Sequence, residues 1–288
     1  MLKSLAIFAI LLMVFNVPLT SQALAQEVEP VEPSCRSNTI ASVPSRPTVT
    51  NSTETTQCGV AELEYGLERQ WPGNGTNRDD LTGGLRFGIL PNLDFHWSSA
   101  DFLHVMDANG DRTGFGDTWL GAKYRFLNQS KFRPSLGFFY QVKVPSGSVV
   151  KGLGSGQVDH SFAFLISKDI RRIHFDFNAI PLLAGRPEGT GFDHNTGLAL
   201  SGAAPVTRRL GFVMEGYGYT SLNAEGPAFA SLMAGVTYEV NPRFVLDSGV
   251  DFGVTHDAPH KRVWIGATYA VANVYSWIRP SHQSSTQR

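Results

Sequence analysis

The connections in this chain constrain its fold more than the segments they join. From residue 57 onward, twelve stretches alternate apolar and polar residues with a period of two, which predicts strands rather than helices. They run near 58–69, 80–90, 92–99, 115–127, 134–144, 158–168, 172–182, 194–204, 210–220, 229–240, 243–254 and 262–272. One set of connections is short: "LPN" at 90–92, "NQSKFR" at 128–133, "KDIRR" at 168–172, "VTRR" at 206–209 and "NPR" at 241–243. The other set is mostly longer and rich in Gly, at 70–79, 100–114, 145–157, 183–193, 221–228 and 255–261. The two sets strictly alternate. A sandwich has no reason to gather its short turns at one end. An antiparallel up-and-down transmembrane β-barrel does, with an even strand count, short periplasmic turns and longer extracellular loops. The expectation is an all-β barrel of about twelve strands with both termini periplasmic.

The faces of the strands agree. Leu136, Phe138, Tyr140, Val142 and Val144 share one face of a strand, as do Phe162, Phe164 and Ile166 on the next, and Leu232, Ala234, Val236 and Tyr238 on a later one. A lipid-facing Arg or Lys at the bilayer midplane costs about 2–4 kcal/mol, and these faces carry none. Four strands share a local pattern: "GLRF" at 84–87, "GAKY" at 121–124, "GVTY" at 235–238 and "GATY" at 266–269. Each places an aromatic on the outer face near the short-turn end, as an interfacial girdle requires. The alternative architecture is a soluble twelve-stranded sandwich or periplasmic barrel.

Charged residues make up 17% of the chain, below the roughly 25% of soluble domains. A net charge of −1 and the lack of a basic, aromatic-interleaved patch argue against a nucleic-acid partner. Lys3, the 11-residue apolar run from Leu5 to Phe15 and the Ala23-Leu24-Ala25 site read as a cleaved signal peptide over 1–25. The run is too short for a transmembrane helix. Residues 26–56, rich in Pro, Ser, Thr and Glu, read as a flexible periplasmic leader. The barrel is expected over 57–277, with a polar tail over 278–288. Cys35 and Cys58 form a candidate disulfide in an exported chain. No metal or cofactor site is read from the sequence.

The inward faces carry both signs of charge. The candidate lumen-lining residues are Arg86, Asp94 and His96 early in the chain; Asp117, Trp119, Lys123, Arg125 and Lys143 next; Asp159, His174 and Asp176 in the middle; and Glu215, Glu239, Asp247, Asp251 and Arg262 toward the end. They either set the selectivity of a polar channel or pair to plug a narrow lumen. Twelve strands lie between filled eight-stranded and open sixteen-stranded barrels. "DANGDRTGFGD" at 107–117 begins like a calcium loop, but Arg112 stands where Gly is needed and Thr118 where Glu is needed. It reads as a polar surface loop. "KGLGSGQ" at 151–157 lacks the G-K-[ST] ending of a phosphate loop and reads as a flexible extracellular loop. "DHS" at 159–161 is not a triad, since His160 points away from its neighbours in a strand.

"GFGDTWLGAKYRF" and "KVPSGSVVKGLGSGQVD" carry a resemblance. Gly114, Gly116, Asp117, Leu120, Gly121, Lys123, Tyr124 and Phe126 match a G-x-G-D-x-x-L-G-x-K-Y-x-F strand. Lys143, Pro145, Ser146 and Gly147 match a K-x-P-T-G strand end with Ser for Thr. Lys151, Gly152, Gly154, Ser155 and Gly156 match a K-G-x-G-S-G loop. The chain resembles, from about Ala61 to Val271, a family of bacterial outer-membrane proteins labelled as transporters or as the MetA pathway of phenol degradation. The resemblance implies an outer-membrane barrel that passes small, aromatic or hydrophobic compounds. The expectation is a passive channel and not an enzyme, with membrane lipid and a small solute as partners. The alternatives are an outer-membrane lipid hydrolase and a closed structural or surface-binding barrel.

Overall fold

The computed structural model describes residues 35–277 apart from 74, 224 and 225; the expected signal peptide and polar tail lie outside them. The strands, in chain order, are β1 (Val60–Trp71), β2 (Asn77–Leu90), β3 (Leu93–Asp107), β4 (Gly110–Gly114), β5 (Thr118–Leu127), β6 (Ser135–Val144), β7 (Asp159–Ile170), β8 (Ile173–Gly185), β9 (Phe192–Pro205), β10 (Leu210–Tyr219), β11 (Phe229–Asn241), β12 (Phe244–Gly253) and β13 (Lys261–Asn273). Consecutive strands pair antiparallel except β4 and β5, which both pair with β3, and β1 pairs with β13 from Val60↔Asn273 to Trp71↔Lys261. That closes a twelve-stranded barrel, because β4 pairs only with the far half of β3 while β5 takes the near half.

β4 corrects the expectation of an irregular loop over 100–114. The period of two continues through Phe102 and His104, and the strand turns at Ala108–Asn109, with Asp107 opposite Gly110. The Asp107 carboxylate accepts from the Asn109 amide (2.8 Å) and pairs with Arg112. The calcium-like spacing is therefore the chemistry of a tight turn.

The outer face is apolar, as its pattern requires. Leu67, Phe164, Leu198, Val236 and Ile265 are exposed there. The girdle aromatics Tyr124, Tyr238 and Tyr269 are exposed beside the short turns, and Phe87 meets the Tyr275 ring edge-on at 5.6 Å. In a bilayer this is the face that lipid covers. Strand β13 ends at Asn273, which caps a single 3-10 turn over Val274–Ser276.

The leader departs most from its composition. Residues 35–56, the described part of the leader expected to be flexible over 26–56, lie inside the barrel against its wall. They have no regular secondary structure, yet Thr50, Thr53, Thr55 and Thr56 are buried. Low hydrophobicity argues against an apolar core, but here burial is polar, and the wall supplies the partners.

Candidate functional site: a belt inside the barrel

Twelve strands spaced by about 4.8 Å and tilted by about 40° enclose a Cα cylinder of radius roughly 12 Å. One circuit about 4–5 Å inside that wall is roughly 45–50 Å long. Sixteen extended residues reach at most about 55 Å. Residues 41–56 make such a circuit. Ser42 donates its amide to the Pro242 carbonyl in the β11–β12 turn (2.8 Å). Val43 and Ser45 donate to Glu62 (2.7 Å) and Glu64 (3.2 Å) on β1. Arg46 pairs with Asp247 on β12 (3.3 Å). Val49 and Thr50 donate to Glu215 on β10 (2.9 and 2.5 Å). Asn51 exchanges two bonds with Asn178 on β8 (2.7 and 2.8 Å). Thr53 donates to Ser167 on β7 (2.8 Å), and Thr56 to Asp94 on β3 (2.7 Å). Cys58 then bridges to Gly88 on β2, and a disulfide joins Cys35 to Cys58. The belt is thus a covalently closed ring lining the barrel.

The physics is an accounting of backbone donors. A buried amide without a partner costs free energy, and the belt has no ladder to satisfy its own. Wall side chains take that place, four of them carboxylates: Glu62, Glu64, Asp94 and Glu215. Charge-assisted bonds of this kind are the stronger ones, at about 1.5–3 kcal/mol each. The wall is also hollowed for the belt. Gly66 and Gly266 face each other across β1 and β13, and the Arg46 guanidinium lies flat on them; a Cβ at Gly266 would sit 2.4 Å from its Nε. A Cβ at Gly235 would meet Pro47 Cγ at 3.1 Å. Glycine inside a strand marks this kind of close approach.

The remaining candidates sort by height. Near the belt, Arg86 lies between Glu62 and Glu64 and donates to the Val43 carbonyl (2.5 Å). Asp94 also binds His96 (2.9 Å) and stands across from buried Lys123 in the β3–β5 register. His174 bridges Asp169 (2.6 Å) and Asp176 (3.1 Å) below the belt. Glu239 is exposed at the short-turn end. Arg125 reaches the rim of that end and donates to the Pro91 carbonyl (3.2 Å). Toward the long loops, Arg262 binds Asp251 (3.0 Å) and Glu68 (3.4 Å), with Tyr217 donating to Asp251 (2.6 Å).

Asp117, Lys143 and Asp159 hold a loop instead of facing open lumen. Asp117 accepts from the amides of Gly147 (2.9 Å) and Ser155 (3.2 Å), and Lys143 donates to Ser155 Oγ (2.7 Å) and pairs with Asp159. Leu153 is buried beneath that fold. The segment read as a flexible loop over 151–157 is therefore pinned, and the three sequence motifs meet at one place. His160 stands on the opposite face from Asp159, bonded to Tyr140 Oη (2.8 Å). Sequence reasoning missed Asn178, Ser167 and Ser135, which hold the belt. Their neutral side chains gave no signal, but the inward glycines did.

Two cavities flank the belt. The one on the long-loop side, about 460 Å³, is lined by Arg86, His96, Trp119, Phe139 and Gln141. The one on the short-turn side, about 590 Å³, is lined by the belt and the β7–β8 and β9–β10 turns. Ser45 and Arg46 line both.

A closed barrel of this strand count, lipid-ready outside and charged inside, defines a transmembrane β-barrel. The chain belongs to the family described as "Putative MetA-pathway of phenol degradation", whose model matches residues 45–269 and so begins inside the belt. Its fold is similar to that of an outer membrane channel from Pseudomonas putida F1, with TM-score 0.61 and 14% identity over 78% of this chain and 100% of that one. It is also similar to the KdgM porin, with TM-score 0.51 and 9% identity over 73% of this chain and 99% of that one. The NanC porin gives TM-score 0.50 and 9% identity over 73% of this chain and 100% of that one. No curated protein matches the chain significantly.

Proposed function

We propose that the protein is a passive outer-membrane channel for small molecules, aromatic or hydrophobic compounds among them, with the belt as its constriction. The observation that carries this reading is the pair of cavities on either side of the belt, both lined by Ser45 and Arg46, inside a barrel whose outer face suits lipid. Residues 1–25 direct export, the short turns and both termini face the periplasm, and the long loops face outward. The barrel performs no chemistry on its solute and needs no cofactor. The enzyme alternative loses support because His160 is turned away from Asp159. The test is liposome swelling with small neutral solutes, run beside planar-bilayer conductance on the purified protein. Measurable swelling and discrete conductance steps are expected. A correctly folded protein that shows neither is a closed structural barrel.

A further inference from the structure

The cations at the two ends of the barrel are treated differently. At the long-loop end Arg69, Arg78, Arg112, Lys143, Arg186 and Arg262 sit in ion pairs with carboxylates, while Lys151 donates to the Thr113 carbonyl and Lys261 lies over the Trp71 ring. At the short-turn end Arg171, Arg172, Arg208 and Arg209 line the 590 Å³ cavity, and none has a carboxylate within ion-pair distance among the described residues. The acidic groups facing that cavity are Asp169 and Asp176, both bonded to His174, with Glu54 and Glu239. Arg171 and Arg172 form a two-residue hairpin turn, and Arg171 has φ 59°. Such a turn favours Asn and Gly, so arginine here is not explained by turn chemistry. Deeper in the same cavity Pro47, Ala203 and Val213 present an apolar patch, bordered by Thr50, Ser201 and Thr237.

An arginine rim over an apolar patch suits one chemical class. Guanidinium forks match carboxylates in two parallel bonds, and an apolar pocket takes a hydrocarbon body. We propose that this vestibule binds an amphipathic organic monoanion, a weak carboxylic acid with an aryl or alkyl body. The carboxylate lies on the four arginines and the body against Pro47, Ala203 and Val213. This deepens the channel reading by naming a solute class and rests on that reading for its biological meaning. The binding itself does not require conduction.

The experiment is calorimetric titration of the full-length protein in zwitterionic detergent with benzoate and with benzyl alcohol, its neutral analogue. Benzoate is expected to bind at least tenfold more tightly than benzyl alcohol, and to weaken as salt screens the rim. The R171E/R172E/R208E/R209E variant is expected to lose that preference, while R186E at the other end keeps it. A heat-modifiable gel shift confirms that each variant is folded. Crystals soaked in 4-iodobenzoate should show the iodine on the apolar patch. Equal binding of acid and alcohol, or a preference that survives the four substitutions, overturns the proposal. So does a result in nanodiscs where the variant loses only phosphatidylglycerol and the wild type ignores benzoate, which assigns the arginines to lipid headgroups. Bilayer conductance is recorded separately, so a failed channel and a failed anion site give different outcomes.

Discussion

The two ends of the barrel solve the same problem with different partners. At the long-loop end carboxylates meet cations: Asp117 and Asp159 with Lys143, Asp251 with Arg262, Asp193 with Arg186. From the middle to the short-turn end, Glu62, Glu64, Asp94 and Glu215 also accept backbone amides of the belt, Glu62 and Glu64 while paired with Arg86 and Asp94 while bonded to His96. The rim arginines are left facing solvent and the vestibule. The long-loop end thus holds itself by ion pairs and a pinned loop. The short-turn end is held by the chain's own irregular leader segment, closed through Cys35 and Cys58. The difference teaches that inward charge in this barrel is an anchoring device first, and that what remains unpaired is concentrated at one mouth.

Substitutions at each end sharpen this contrast. The largest effect is expected for Cys35→Ser, which opens the ring. Closing a loop of this length contributes about 3 kcal/mol in the chain-entropy model. Urea unfolding in lipid should shift by about that amount, and an unchanged midpoint means the wall bonds alone hold the belt. Next comes Asp117→Ala, which removes a charged acceptor from the Gly147 and Ser155 amides, at a cost of about 2–3 kcal/mol. Trypsin should then cut at Lys151 faster than in the wild type; an unchanged rate contradicts the clamp. Gly266→Ala pushes the Arg46 guanidinium off the wall and away from Asp247, an overpacking cost of about 1 kcal/mol or more. Ion selectivity should change in that variant while Cys35→Ser alters stability, and the reverse pattern breaks the distinction between lining and anchoring. The smallest effect is expected for Asp79→Asn in the half-exposed Arg69–Asp79 pair, below about 1 kcal/mol. A larger loss of stability there shows that the long-loop end depends on its outermost pairs as well.

Much of the barrel was legible because a membrane imposes simple rules. Period-two alternation, charge-free faces at Leu232–Tyr238 and the alternation of short and long connections each follow from hydrocarbon outside and closure within. The same alternation puts Arg86, Asp94, Glu215 and Asp247 on the face opposite the apolar one, and all four are buried. Their task was not legible. Reading them as facing a solute or each other left out the chain that lies between. Residues 35–56 look disordered by composition because Ser, Thr and Pro bury little apolar area. Their stability comes from amide bonds to side chains far away in sequence, such as Thr50 to Glu215. Periodicity carries no trace of such pairs. The trace that exists is the bare wall: Gly66, Gly235 and Gly266 sit on inward positions where a lumen facing water has no need of glycine.

The central claim is that the belt sets the aperture. Single-channel recording of the wild type beside a variant lacking residues 35–58 tests it most directly, with the gel shift confirming that both are folded. A several-fold larger conductance is expected for the variant, with loss of discrimination by solute size in liposome swelling. Equal conductance in the two folded proteins contradicts the account.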